Sequence, residues 1–407
     1  MAYRLPLTEQ RYLKCVDYFK KAIENHDEKV KRSTPKPNTN TNQNINVFLR
    51  TRPLQPSEVD KGHCSVISQH GHRTYIHEPY FKVLSNPGIR SHTMEVDHSF
   101  GPEHDNQFVY DTISEQLNES IRSNGLITIL AYGQTGSGKT FTITSLLDMI
   151  FSDILTTQND EGFKIYCSSF EIFGNELKDL LDETSTVQIR ETTTGQVNTT
   201  GCKEVKVASM EDYMSFKKNT ETNRRTAKTL KNDHSSRSHA VYNLRICQNQ
   251  ENSANGVIML VDLAGSERNA DSTAHDSQLI KETRITNTSL MVLKDCLRKA
   301  YERALYPKKH VHIPYRSSKL TLLLKGVFSP EPDRLAKTYV IATLSPSIMD
   351  VSHSLNTARY AVTIIETKKP LTKNNDKKIA SDGLFKNEKE EIPLDISEQE
   401  RESIVKV

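Results

Sequence analysis

The sequence predicts a three-layer α/β fold, in which helices flank both faces of a mixed, mainly parallel central sheet. Two observations predict this class. Short apolar runs alternate with amphipathic helical stretches across residues 45–366, as expected for a chain in which strands and helices follow one another. One apolar run also leads directly into a glycine-rich loop and then a helix. We therefore expect one large domain over these residues.

Three segments flank this domain. Residues 1–32 are predicted to form a helical segment, because apolar residues such as Val16 and Phe19 recur at helical spacing between charges. They are either a helix that docks on the domain or a charged arm that contacts a partner. Residues 33–44 are rich in Asn, Thr and Pro, which indicates a linker. Residues 367–407 are polar and charged, and we expect a mostly disordered tail.

The elements within the domain follow two patterns. Ile45, Val47 and Leu49 alternate along the first strand. Residues 126–130 form a short, mostly apolar run between Gly125 and Gly133, as expected for a buried parallel strand, and residues 141–151 are predicted to form a helix. The same patterns predict later strands at 164–170, 240–247, 257–261 and 337–344, and later helices at 282–303, 317–327 and 352–365.

Composition excludes several classes of protein. The 407 residues include 54 Lys and Arg against 51 Asp and Glu, a net charge of +3, which is too balanced for a nucleic-acid coat or an acidic solvating chain. No run approaches the length of a membrane span, and the first residues have no signal-peptide pattern, so we expect a cytosolic protein. The six cysteines are dispersed without a CxxC pair, which argues against a disulfide framework and against zinc.

Residues 133–140 match the phosphate-loop pattern G-x-x-x-x-G-K-[ST], with an apolar strand before it and a helix after it. Glycines let the backbone N–H groups face one anion, and the helix N-terminus adds partial positive charge. Lys139 is expected to reach the β- and γ-phosphates, and the hydroxyl of Thr140 to bind Mg²⁺. The expected nucleotide-binding loop consists of Gly133, Gln134, Thr135, Gly136, Ser137, Gly138, Lys139 and Thr140.

Two further segments carry chemistry suited to a phosphate site. Asp262 follows a buried apolar run, where P-loop enzymes hold Mg²⁺, and Gly265 can offer its backbone N–H to a γ-phosphate. Residues 232–239 are densely polar and are either a solvated loop or a switch with two hydroxyls and an arginine. Within that switch, Arg237 would pair with Glu267.

These segments resemble motifs of the kinesin motor domain. Residues 133–140 are similar to its phosphate loop, 232–239 to its first switch, N-x-x-S-S-R-S-H, and 262–267 to its second switch, D-L-A-G-S-E. The resemblance covers roughly residues 45–366 and implies the P-loop NTPase fold. Further matching segments are 50–53 (R-x-R-P), 131–132, 289–290, 312–321 and 355–361.

The resemblance implies an ATPase that binds microtubules and uses ATP and Mg²⁺. Ser235 and Ser236 would sense Mg²⁺ and the γ-phosphate, with Ser236 joining Thr140 and Asp262 as a metal ligand. Gly265 would bind the γ-phosphate, and the pair of Arg237 with Glu267 would close the switches around the attacking water. Positioning and charge stabilisation then supply most of the acceleration.

The resemblance also implies an adenine side to the pocket. Arg50, Arg52 and Pro53 match the R-x-R-P segment of the family. The residue after Thr140 is often His in the family and stacks on adenine. In this chain it is Phe141, whose aromatic face can also stack.

Several segments, among them 96–100 and 293–298, resemble the kinesin-13 class, whose members depolymerise microtubules from their ends rather than walk along them. The helical segment at residues 1–32 lies where that class carries its neck, so the resemblance implies that it is neck-like. The class hallmark in an extended β-hairpin loop is Lys-Val-Asp, and this chain has Lys82, Val83 and Leu84. The missing carboxylate bears on depolymerisation rather than on microtubule binding.

Because tubulin is acidic, the binding face should gather basic residues. The expected contacts are Lys82, Val83, Lys294, Arg298, Lys308, Lys309, Arg316 and Lys319.

Four functions remain open at this stage. The first is an ATPase that binds and depolymerises microtubule ends. The second is a translocating motor, which is less favoured because the sequence shows no clear neck linker followed by coiled-coil heptads. A non-hydrolysing microtubule scaffold is disfavoured by the intact loop and switch residues. A helicase shares the phosphate loop, but no aromatic and basic strand-binding surface stands out. We expect tubulin as the partner, no nucleic acid or membrane, a microtubule or spindle location, and leave open homodimerisation through segments outside the motor.

Overall fold

The computed structural model describes residues 7–31, 44–81, 87–123, 125–193, 195–230, 237–248, 254–267, 277–306, 308–330, 334–366 and 387–388. Its contacts divide the chain into two compact units, which are described separately. Unit one comprises Met1–Asn40, Val47–Glu103 and Thr343–Val407, and unit two comprises Thr41–Asn46 and His104–Ala342.

The helices and strands have the following bounds in chain order. They are α1 (Leu7–Lys14), α2 (Val16–Lys31), β1 (Ile45–Thr51), α3 (Pro56–Asp60), β2 (Ile67–His70), β3 (Arg73–Phe81), β4 (Pro87–Glu95), β5 (His98–Phe100), α4 (Asn106–Arg122), β6 (Leu126–Tyr132), α5 (Lys139–Glu161), β7 (Phe163–Phe173), β8 (Glu176–Asp179), β9 (Gln188–Glu191), β10 (Val197–Thr200), β11 (Val205–Val207), α6 (Met210–Leu230), β12 (His239–Gln248), β13 (Ala254–Asp262), α7 (Ser277–Leu305), α8 (Lys319–Leu323), α9 (Lys325–Phe328), β14 (Ala336–Leu344), α10 (Val351–Glu366) and β15 (Asn387–Glu388).

Unit one is built around an antiparallel sheet in which β3 lies between β2 and β4. The short strand β15 pairs with β4, and β1 pairs with β5 in parallel. Helix α2 packs against β2 and β4, and α10 packs against β3 and β4. The buried stripe of α2 runs from Val16 through Phe19 and Ile23 to His26, which is the helical spacing that the sequence predicts.

Unit two contains a mixed sheet whose strands follow the order β11, β7, β12, β13, β6, β14. The central strands β13, β6 and β14 are parallel, and β12, β7 and β11 add antiparallel neighbours. Every residue of β6 from Ile127 to Tyr132 is buried, which requires cover on both faces. Helices α4 and α5 pack against β13 and β6. This arrangement confirms the predicted α/β class.

The predicted elements differ from the observed ones mainly in extent. The helix expected over residues 1–32 is two helices, α1 and α2, and β7, β12, β13, α5 and α7 each run beyond the predicted bounds. The single helix expected at 317–327 is wrong. A 3₁₀ turn at Tyr315–Ser317 precedes α8, and α9 follows. The cause is Ser318, which has extended backbone angles and whose hydroxyl accepts a hydrogen bond from the Thr321 N–H at 3.1 Å, so a new helix begins there.

The predicted linker lies outside the described residues except for residue 44, and so does the predicted tail except for β15. Among the described helices, none combines the length and apolar character needed to cross a lipid bilayer.

Candidate nucleotide site

The phosphate loop lies between β6 and α5 in unit two and begins at the carboxyl end of a central parallel strand. Gly136 and Gly138 have φ angles of 80° and 102°, in the left-handed region that side chains other than glycine rarely adopt. The loop therefore depends on glycine at these two positions. The loop leads to Lys139, where α5 begins. The first N–H groups of a helix have no partner within the helix and can bind an anion.

Lys139 is buried beneath this loop. Its ammonium group donates hydrogen bonds to the carbonyl oxygens of Gly133 and Gln134, both at 2.9 Å. Burial lowers the pKa of Lys139, and the nearby carboxylates of Asp262 and Glu267 oppose that shift. The side chain thus holds a cation directly under the loop that is expected to receive phosphates.

Thr140 and Asp262 meet at the base of the loop. Strand β13 is parallel to β6 and pairs Asp262 with Ala131, so Asp262 ends its strand beside the start of the loop. The Thr140 hydroxyl donates to Oδ2 of Asp262 at 2.7 Å. The other oxygen, Oδ1, is buried and has no hydrogen-bond partner. A hydroxyl beside a carboxylate with a spare buried oxygen fits a Mg²⁺ ion, which prefers oxygen ligands and usually keeps several waters.

Arg224 on α6 is a site residue that the sequence did not reveal. Its guanidinium donates to Asp262 Oδ2 at 2.8 Å and to Glu171 Oε1 at 3.1 Å, and Ser238 donates to the same Glu171 oxygen at 2.8 Å. Burial opposes its charge, but Asp262 and Glu171 outweigh burial and raise the pKa of Arg224 above its ordinary value. The network ties α6 and β7 to the Asp262 carboxylate.

The predicted pair of Arg237 with Glu267 is not formed in this structure. Arg237 instead donates to Glu282 on α7 at 2.8 Å. Glu267 accepts from the Thr135 N–H at 3.0 Å and from the Thr135 hydroxyl at 2.6 Å. The reason is local. The N–H of Ser266 donates to the carbonyl of Gly133 at 3.1 Å, which lays the chain after β13 along the phosphate loop and puts Glu267 next to its donors.

Gly265 lies in this same stretch of chain. A Cβ atom at Gly265 would come within 2.2 Å of the Glu267 carboxylate. The absence of a side chain at Gly265 therefore allows Glu267 to fold back over its own loop and reach Thr135. The expected contact of the Gly265 N–H with a γ-phosphate stays a prediction.

His239 links both switch segments to α7. Its Nδ1 accepts from the Ala264 N–H at 3.0 Å, and its Nε2 lies 2.8 Å from the Ser289 hydroxyl. Burial lowers the pKa of His239 to about 4, so the ring is neutral at physiological pH and Nε2 carries the donated hydrogen. The Ser289 hydroxyl in turn donates a hydrogen bond to the carbonyl of Thr286 at 2.7 Å. No single motif in the sequence indicates this three-way contact.

The residues expected on the adenine side divide between the two units. Phe141 belongs to unit two and its side chain is 62% exposed, so its ring is accessible for stacking. Arg50, Arg52 and Pro53 belong to unit one. There Arg52 donates to both carboxylate oxygens of Glu58, at 2.6 and 2.7 Å, and Arg50 is buried. Their roles in binding adenine stay predictions.

Four predicted residues, Ser235, Ser236, Lys82 and Val83, lie outside the described part of the chain, as does Leu84. The remaining predicted tubulin contacts all lie in unit two. Arg298 is exposed and 3.6 Å from Asp295, Lys309 pairs with Glu302 at 2.6 Å, and Arg316 pairs with Glu191 at 2.9 Å. Lys308 is exposed, and Lys294 and Lys319 are half-buried.

Comparison with known proteins identifies a matching family profile, similar sequences and similar structures. A family profile described as the kinesin motor domain matches residues 50–367. Diatom spindle kinesin-1 of Cylindrotheca fusiformis is 34% identical over 328 residues, and kinesin-like protein KIN-13B of Arabidopsis thaliana is 34% identical over 362. These alignments cover 80% and 86% of this chain, and 51% of each relative. The chain thus spans about half the length of the curated relatives it matches.

A solved structure of a KIF14 dimer, in a two-heads-bound state with AMP-PNP and in complex with a microtubule, resembles this chain with a TM-score of 0.65. The sequence identity is 26%, and the match covers 79% of this chain and 94% of that chain.

Proposed function

Because the chain belongs to the kinesin motor-domain family, we propose that it is a magnesium-dependent ATPase whose turnover is stimulated by microtubules. The observation that carries the proposal is the contact of Thr140 with Asp262 at the base of a glycine loop, with one buried Asp262 oxygen left unpartnered. This arrangement provides a cation site immediately beside a phosphate site, which is what a nucleoside triphosphate with its Mg²⁺ requires.

Thr140 and Asp262 would hold the metal, with Ser236 as the third expected ligand. When bound, Mg²⁺ neutralises charge on the β- and γ-phosphates. The chain's own groups do the positioning. The loop N–H groups cradle the phosphates, and Lys139 turns its ammonium from the loop carbonyls toward the β- and γ-oxygens. Arg224 holds the Asp262 carboxylate in place and leaves its second oxygen free.

Closure of the switches would exchange ion-pair partners. Arg237 must leave Glu282, and Glu267 must leave Thr135, before the two can pair around the attacking water. Both existing contacts are short, at 2.8 and 2.6 Å, so the exchange breaks and forms charge-assisted hydrogen bonds of similar strength. An exchange of this kind suits a two-state switch, because Arg237 and Glu267 would each have a hydrogen-bond partner in both states.

Helix α7 would carry the switch state to the tubulin-facing surface. Three contacts join its first half to the switch segments: Glu282 with Arg237, the Thr286 hydroxyl with the Arg237 carbonyl at 2.7 Å, and Ser289 with His239. The second half of α7 bears Lys294 and Arg298. A change in the position of the Arg237 segment therefore acts on the helix that presents basic groups to acidic tubulin.

We further propose that the work output is binding and depolymerisation of microtubule ends. The relation to KIN-13B over most of this chain and the kinesin-13-like segments of the sequence support this choice. The alternative is directed movement along the lattice, and the microtubule-bound KIF14 structure supports tubulin as the partner in either case. Leu84, where the kinesin-13 class has an acid, is the residue on which the choice depends.

The ATPase proposal is tested by steady-state turnover with and without stabilised microtubules. Wild-type protein should be stimulated, and Lys139→Ala should lose turnover in both conditions because the phosphates lose their internal cation. Lys218→Ala is the matched control, since it removes an exposed lysine from α6. Normal turnover in the Lys139 variant, or no stimulation of the wild type, would contradict the proposal.

The proposed depolymerisation of microtubule ends is tested by imaging fluorescent, stabilised microtubules with the protein and ATP. Shortening from the ends supports depolymerisation, and directed movement supports the alternative. Leu84→Asp should shorten microtubules at least as fast as the wild type. A slower rate for this variant would show that residue 84 has a different role.

A further inference from the structure

Unit one contains a cluster of histidines and one aspartate that the nucleotide site does not use. His26 and Asp27 come from α2, His70 from the end of β2 and His77 from β3. One ligand atom each from His26, Asp27 and His77 lie within 4.8 Å of one another. Because α2 packs on the sheet of β2 to β4, these groups converge at the contact between the helix and the sheet.

His26 is the group in this cluster that protein contacts leave unsatisfied. Its side chain is 3% exposed, and its Nδ1 is buried without a hydrogen-bond partner. The nearest carboxylate oxygen, Asp27 Oδ1, is 3.8 Å away, which is too far for a hydrogen bond but suits two ligands of one ion. A buried polar atom is normally paired, so this nitrogen points to a bound group.

The other members are oriented as metal ligands usually are. His77 is fully buried, with Nδ1 2.8 Å from the Ser91 hydroxyl, which fixes the ring and turns Nε2 toward the cluster. Asp27 Oδ1 accepts from the Ser68 hydroxyl at 2.6 Å, and His70 Nε2 lies 3.3 Å from the same oxygen. His77 Nε2 is 3.0 Å from the Ser68 hydroxyl.

We propose that His26, Asp27 and His77 form a binding site for a divalent transition metal, with zinc the fitting ion. His70 Nε2, 3.3 Å from Asp27 Oδ1, lies next to this set. Imidazole nitrogens with one carboxylate suit zinc, whereas Mg²⁺ and Ca²⁺ prefer oxygen ligands throughout. The site needs no cysteine, so the lack of a CxxC pair does not bear on it. Nearby His92 is bonded to Glu78 at 2.9 Å and is not part of the ligand set.

A metal at this position would join α2 to the sheet of unit one. The ligands come from two elements that are far apart in the chain, and a ligand that binds only the folded arrangement stabilises it by mass action. The bound ion would therefore strengthen the docking of α2, which precedes the large domain in the chain and already packs on the sheet through its apolar residues.

The test uses the full chain, stripped with EDTA and then titrated with zinc in competition with a chromophoric chelator. The expected result is one zinc per chain and a rise in melting temperature on zinc addition. Asp27→Asn and His26→Gln should each weaken zinc binding at least about 10-fold, the lower limit of the loss seen for residues that merely orient ligands. His72→Gln, which alters a histidine in the turn between β2 and β3, should bind zinc like the wild type.

Cobalt provides a second readout that does not depend on variant stability. Co²⁺ bound to the wild type should show visible absorption of a nitrogen- and oxygen-ligated tetrahedral ion. An intense near-ultraviolet cobalt–thiolate band would assign the metal to cysteines and overturn the proposal. So would the absence of saturable zinc binding, equal affinity for Mg²⁺, or unchanged zinc affinity in both ligand variants.

Discussion

Arg224 provides the sharpest test of how the nucleotide site is held together. It pairs with two carboxylates, Asp262 and Glu171, and all three side chains are at most 10% exposed. The change Arg224→Met keeps much of the side-chain volume and removes the charge. The two carboxylates then stay buried without their cation, which is far more costly than losing a surface ion pair.

The expected loss in the free energy of unfolding follows from these contacts. Removing one partner of a buried ion pair costs about 3–5 kcal/mol. Two hydrogen bonds survive the change, from Ser238 to Glu171 and from Thr140 to Asp262, so we expect the lower end, about 3 kcal/mol. For a domain of this size that loss lowers the melting temperature by about 6–12 °C.

Arg225 is the matched control, because it is the next residue on the same helix. It lies 3.6 Å from Glu221, and its side chain is 76% exposed. Removing such an exposed pair costs about 0–1 kcal/mol. Thermal denaturation of both variants, followed by circular dichroism without nucleotide, makes the comparison. Melting temperatures within about 2 °C of each other would refute the reasoning.

A double variant separates the ion pair from simple packing. Adding Glu171→Gln to Arg224→Met removes one of the two orphaned charges. We expect the double variant to melt at a higher temperature than the single Arg224 variant, since contacting residues act non-additively. If the losses in melting temperature of the two single variants simply added in the double variant, Arg224 would stabilise the fold through its packed volume alone.

Two further predictions concern the loop and the link to α7. Gly136→Ala forces a side chain into a left-handed conformation that costs about 1–2 kcal/mol, so affinity for a fluorescent ATP analogue should fall about 5–30-fold. Gly162→Ala, with a similar φ of 69° but outside the loop, should leave that affinity unchanged, and equal losses in both would contradict the prediction. His239→Leu removes both hydrogen bonds of the ring and should lower microtubule stimulation more than basal turnover. A proportional loss of both rates would remove the coupling role of the contact with Ser289.

The phosphate loop was predictable because its chemistry is local. Eight consecutive residues carry the glycines, the lysine and the threonine, and the strand before and the helix after them are visible as simple patterns. Asp262 was predictable for a related reason. It ends an apolar run, and the carboxyl ends of parallel strands meet at one edge of a sheet.

Arg224 was not predictable, because its partners are 38 and 53 residues away along the chain. On α6 it is one of two adjacent arginines, and nothing in the sequence says which one faces the core. The partners that Arg237 and Glu267 have in this structure were not predictable for a similar reason. Charge alone allows their pairing, but the path of the chain after β13 brings Glu267 to Thr135 first.

The proposed zinc site of unit one could not be predicted from the spacing of residues in the sequence. His26 and His77 are separated by 51 positions and an intervening linker, so no ligand motif connects them. They meet because the apolar stripe of α2 packs on the sheet, and the histidine at the end of that stripe is buried along with it.

The order of residues alone determined the α/β class, the phosphate loop and the kinesin relationship, since each depends on neighbours in the chain or on a simple period. Only the tertiary structure decided which charges pair, which histidine joins the switches to α7 and where a second cluster forms. Those choices depend on which distant side chains packing brings within about 3 Å of each other, since hydrogen bonds act only over such distances.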